Sequence, residues 1–149
     1  MHDIIQTLLR EQCSLVVLNH GTATIYRRPG VADLLALLSA DADALRGASV
    51  ADKVVGMAAA SLMVEAGVSR IYAATIGSAA LAMLQSRGIE VEYGTLAPTI
   101  MNRTATGPCP LEALCLPENS TAQNVAAIRA FVAKKMAAAQ QAPQQQQQS

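Results

Sequence analysis

The sequence predicts an α/β domain built on a mixed sheet. Three observations carry this reading. Strand-like and helix-like apolar patterns alternate along the chain, and residues 71–93 read as strand, helix, strand, a βαβ unit whose two strands should be parallel. The composition, 52% hydrophobic with 29 alanines and only four aromatic residues in 149, favours helices packed closely on a sheet over an aromatic-rich sandwich.

In order, Ile4, Ile5, Leu8 and Leu9 recur at helical spacing and predict an amphipathic first helix. Ser14 to Leu18 and Ala23 to Arg27 read as a hairpin turning at Asn19-His20-Gly21-Thr22, where Gly21 supplies a positive φ. Val31, Leu34, Leu35 and Leu38 make a helix face that Asp41, Asp43 and Gly47 end. Ser49-Val50-Ala51-Asp52 reads as a capping box, predicting a helix from there to about Ala66, apolar over most of its circumference and closed by Gly67. Ile71 to Ile76 is a continuous apolar strand of the kind buried in parallel sheets. Gly77-Ser78, a helix from Ala79 to Arg87 and a strand from Ile89 to Tyr93 complete the unit. Gly94 to Pro108 has no periodicity, and a connection that long inside a small domain points to function. Pro110 favours a new helical turn, and Ser120 with Gln123 forms a capping box for a last helix carrying Val125, Ile128, Val132 and Met136. The domain is therefore placed at residues 1–136, with the glutamine-rich residues 137–149 as a disordered or frayed tail.

Charge and cysteine usage remove several function classes. Eleven basic residues balance eleven acidic ones without a basic run, which excludes sequence-independent nucleic-acid binding. No apolar stretch approaches the roughly 18 residues a membrane helix needs. The expectation is a cytoplasmic protein. Cys13, Cys109 and Cys115 are odd in number and lack CxxC spacing, which suits thiols in a reducing compartment, with Cys13 and Cys115 packed in the core.

The order of elements looks like the cytidine-deaminase-like fold, a three-layer α/β/α arrangement. More specifically, the sequence resembles an uncharacterised bacterial and archaeal family that shares this fold, over roughly Leu8 to Arg129. The resemblance rests on Gly47-Ala48-Ser49-Val50-Ala51-Asp52-Lys53-Val54-Val55-Gly56, on Gly88-Ile89-Glu90-Val91-Glu92-Tyr93, and on Asn102-Arg103 followed by Cys109-Pro110-Leu111-Glu112. A zinc deaminase needs a His or Cys with a catalytic Glu at the start of one helix and Pro-Cys-x-x-Cys at the start of the next. Here the first position reads Ala51-Asp52-Lys53 and the second Ile76-Gly77-Ser78-Ala79-Ala80-Leu81, so neither zinc nor another cofactor is expected.

In an open α/β sheet the ligand crevice lies beyond the carboxyl ends of the parallel strands, where helix N-termini point and favour anions. Asp52 and Lys53, Gly77 and Ser78, and a loop carrying Asn102, Arg103, Cys109 and Glu112 should meet there. Asp52 reads as a helix cap or a ligand contact. Lys53, a cation in a predicted first turn, opposes the helix dipole; it either pairs with Asp52 or Glu112, extends into solvent, or serves as an anion-binding charge or low-pKa amine. Cys109, before Pro110 at a helix start, is either a small buried hydrophobe or a thiol nucleophile. Glu112 caps that turn or acts as acid or base, and Asn102 and Arg103 either bind phosphate or carboxylate or hold the loop. The resulting expectation is a protein that binds a nucleotide or related anionic metabolite without zinc. The alternative is an interaction or regulatory module that kept the fold and lost the chemistry, packing as a homodimer through its alanine-rich helices.

Overall fold

The computed structural model describes residues 2–28, 31–100 and 110–148, the last ten as backbone only. It is a mixed open α/β sheet of five strands with six α-helices among those residues. Helix α1 (His2–Glu11) leads into the hairpin β1 (Leu15–Asn19) and β2 (Thr22–Tyr26), then α2 (Ala32–Ala40) and a short 3-10 turn. Next come β3 (Ser49–Val55), α3 (Met57–Ala66), β4 (Arg70–Gly77), α4 (Ser78–Ser86) and β5 (Glu90–Ala97). A short α5 (Pro110–Leu114) and a long α6 (Thr121–Gln148) follow.

The strand order is β2-β1-β3-β4-β5. Strand β1 runs antiparallel to both β2 and β3, whereas β3, β4 and β5 are mutually parallel. Two consecutive βαβ units therefore replace the single one that the sequence predicts. The hairpin turns as expected, with both His20 (φ 52) and Gly21 (φ 76) in the left-handed region that a two-residue turn of this hand requires. The capping box at the last helix also forms, the Ser120 amide donating to Gln123 Oε1 at 2.9 Å and the Gln123 amide to Ser120 Oγ at 3.1 Å.

One expectation is overturned. Residues 49–55 are not the first turns of a buried helix but the central strand of the sheet, and the helix starts only at Met57. The 49–66 stretch is apolar almost throughout, so burial on both sides erased the periodicity that separates strand from helix. The β-branched Val50, Val54 and Val55, and the break at Gly56, were the local signals. There is consequently no capping box at Ser49 and Asp52, and Lys53 does not sit in a helical first turn. The last helix also runs as helix to Gln148, past the expected boundary at residue 136.

The two faces of the sheet are covered unequally. On one, Leu34 of α2, Ala58, Leu62 and Met63 of α3, Leu84 of α4 and Val125 and Ile128 of α6 close over Leu15, Val50, Ile71 and Ile76 as the main core. On the other, a separate small cluster joins Ile4 and Leu8 of α1 to Cys13, Val16 and Ala51. Both Cys13 and Cys115 are buried. No helix among the described residues is long and apolar enough to cross a membrane.

Candidate functional site

Because β3, β4 and β5 are parallel, α3 and α4 both begin at the same edge of the sheet. Gly56 is the N-cap of α3 and Gly77 that of α4, both in extended conformation and neither able to cap with a side chain. The free amides of α3 are satisfied from elsewhere. The Met57 amide donates to Glu112 Oε1 at 2.5 Å, and the Ala58 amide also hydrogen-bonds the Glu112 carboxylate. A residue 55 positions away thus supplies the anion that the helix start calls for.

Gly56 makes that contact possible. A Cβ there would overlap Glu112 Oε1, so only a bare backbone leaves the carboxylate its seat. Ile100 packs against the same glycine and reaches Gly77 as well, its Cγ1 lying 3.2 Å and 3.5 Å from where a Cβ on each would stand. Ser78 at the start of α4 donates its hydroxyl to the Ala97 carbonyl at 3.2 Å, tying that helix to the end of β5. Burial raises the Glu112 carboxyl pKa above the ordinary glutamate value, and the Met57 and Ala58 amides pull it part of the way back.

The structure thus brings Glu112, Gly77 and, through Ile100, the end of the β5 connection to one edge. Asn102, Arg103 and Cys109 lie outside the described residues. Asp52 and Lys53 part company. As neighbours on a strand they point to opposite faces. Asp52 shares the main-core face with Leu15 and Ala73, its partners across β1 and β4, and is only 6% exposed. Its Oδ1 accepts the Val54 amide at 3.3 Å, and no cation pairs with it among the described residues. Burial therefore dominates, pushing its pKa from 3.8 up to about 7 against the pull of the Val54 and Lys53 amides. Lys53 is exposed on the α1 side of the sheet, away from the α3 N-terminus.

Residue types set what this edge can do. It offers backbone amides, one carboxylate and an apolar cover, an arrangement that holds an anion or exchanges a proton. Among the described residues no three His, Cys, Asp or Glu side chains are placed to share a metal ion. The donors at the starts of α3 and α4, Gly56, Met57, Gly77 and Ser78 beside Glu112, do not fit a zinc of the deaminase kind. Sequence reasoning missed Gly56 and Ile100. A glycine between a valine run and an alanine run is the signal that would have found the first.

A family model described as TM1506, Domain of unknown function (DUF1893), matches residues 3–132. Among solved structures, that of a DUF1893 family protein (TM1506) from Thermotoga maritima, a crystal structure at 2.70 Å resolution, is similar with a TM-score of 0.78. The similarity covers 89% of this chain and 88% of that one at 22% sequence identity, a level that speaks to the fold alone. No curated protein matches the chain.

Proposed function

The chain belongs to the DUF1893 family, and on that premise we propose that it binds a nucleotide or related anionic metabolite at the α3 N-terminus, on a cytidine-deaminase-like fold working without zinc. The fold reading is supported by the β2-β1-β3-β4-β5 order with α1 on one face and the remaining core helices on the other. The ligand reading is carried by one observation, the Glu112 carboxylate seated on the Met57 and Ala58 amides over Gly56. Those donors do not distinguish a side-chain carboxylate from a ligand's carboxylate or phosphate. In this reading Glu112 holds the site in its unliganded state and withdraws when the ligand's anionic group takes the amides, ready to accept or give a proton beside it.

Thermal-shift measurements with nucleosides, nucleotides, ADP-ribose and inorganic phosphate test the proposal. Anionic members should raise the melting temperature while uncharged nucleosides do not, and Glu112→Ala, which vacates the amides, should enlarge the shift. Absence of any shift in both proteins overturns it.

A second reading, a non-catalytic interaction module, draws on β5. This edge strand is exposed along most of its length, with Tyr93 43% and Leu96 47% accessible and Val54 of β3 41%. Light scattering separates the two, since a strict monomer that captures no partner leaves the module reading without support.

A further inference from the structure

On the α1 side of the sheet a cavity of about 400 Å³ is lined by Leu8, Leu9, Gln12, Cys13, Lys53 and Ala74. Its walls are mostly apolar, and among the described residues Lys53 is its single charged lining residue. No carboxylate forms an ion pair with Lys53 among the described residues. Leu9, on the rim, is 58% exposed although its neighbour Leu8 is buried.

The floor extends beyond these residues. Lys53 stands beside Ala74 between the pairs Asp52–Ala73 and Val54–Thr75, and Ala74 stands beside Gly94 between Ala73–Tyr93 and Thr75–Thr95. Lysine, alanine and glycine thus form one row across three strands, leaving a bare strip of sheet beside Lys53. The Tyr72 hydroxyl bounds the strip, 3.4 Å from where a Gly94 Cβ would stand. Gly94 is held to glycine by backbone, since that Cβ would also meet the Ala74 carbonyl oxygen at 2.9 Å.

We propose that this cavity is a binding site for an amphipathic organic anion, its charged group on Lys53 and its flat apolar body lying along Ala74 and Gly94 beneath Leu9. The volume falls in the range of small-molecule sites, and apolar walls with one placed polar group are their usual composition. A cation with no ion-pair partner among the described residues, set at an apolar cavity, selects a negative partner, and the small residues of the row admit a planar body that larger side chains would exclude. This site lies on the sheet face opposite the main core and does not rest on the reading of the α3 N-terminus.

The probe is 8-anilino-1-naphthalenesulfonate, an aromatic anion whose fluorescence rises on leaving water, with 1-naphthoate and octanoate as competitors. The wild-type chain should bind one probe saturably and release it to either carboxylate. Lys53→Gln should weaken binding roughly tenfold, as loss of a charge-assisted contact does, while Lys53→Arg stays within about twofold. Ala74→Leu should abolish binding by filling the floor, and Lys134→Gln, which removes an exposed charge on α6, should change nothing. If Ala74→Leu does not fold, amide shifts of Ala74 and Gly94 in the wild-type chain on adding 1-naphthoate decide instead. Non-saturable binding, an affinity untouched by Lys53→Gln, or shifts confined to other residues would overturn the proposal.

Discussion

At the scale of single residues, Gly56 and Glu112 form one unit although more than a third of the chain separates them. Because a Cβ at residue 56 would occupy the carboxylate's seat, Gly56→Ala should destabilise by about 1–3 kcal/mol, through steric shift and loss of the amide contacts. In a Glu112→Ala background the same substitution should cost much less. Urea unfolding of the four proteins of this double-mutant cycle measures the coupling, and additive effects would contradict the arrangement. Asp52 makes a separate prediction. Its folded pKa, about 7, lies above its ordinary value of 3.8, so the native state binds the proton more tightly than the unfolded chain. Stability from this group is fully present below pH 4 and is lost as pH rises towards and through 7. Asp52→Asn should flatten that part of the stability profile, a few kcal/mol at neutral pH; an unchanged slope in denaturant titrations between pH 4 and 8 would show that Asp52 is not the group responsible.

Elements differ in how far they could be read from sequence. The hairpin, α2, β4, α4 and the Ser120 cap were legible because each carries local chemistry: a turn glycine, an amphipathic stripe, a short apolar run bounded by turns, a paired hydroxyl and amide. Strand β3 was not. Its Val50, Ala51 and Val55 are buried on both sides and continue into the equally apolar Met57 to Met63, so no polar face marked the change of period. That one misreading displaced the candidate site, putting Asp52 and Lys53 at a helix start and overlooking the true start at Gly56. Glu112 was legible as a capping carboxylate but not as the cap of α3, since a contact across 55 residues leaves no local trace. For α6, the last of the described side chains packed on the main core is Val132, and the family match ends at the same residue. Removing residues 137–149 should therefore change the unfolding free energy by less than about 0.5 kcal/mol, as surface changes generally do. A larger loss in thermal or urea denaturation would assign the distal helix a packing role.

Across the whole molecule, the central sheet divides the chain into unequal halves. Helices α2 to α6 all contribute to the main core, whereas α1 rests on a small cluster of its own. Cys13 and Cys115, both buried, fall on opposite sides of that division, Cys13 beneath α1 and Cys115 within the main core. Their side chains are therefore two clocks. Release of α1 alone bares Cys13, at a free-energy cost below that of global unfolding, while Cys115 waits for the larger core to open. In a Cys109→Ser background, thiol labelling under native conditions should modify Cys13 well before Cys115, and 1-naphthoate should slow only the first if it lies under α1. Equal labelling rates for the two thiols would instead mean that the helix and the core come apart together.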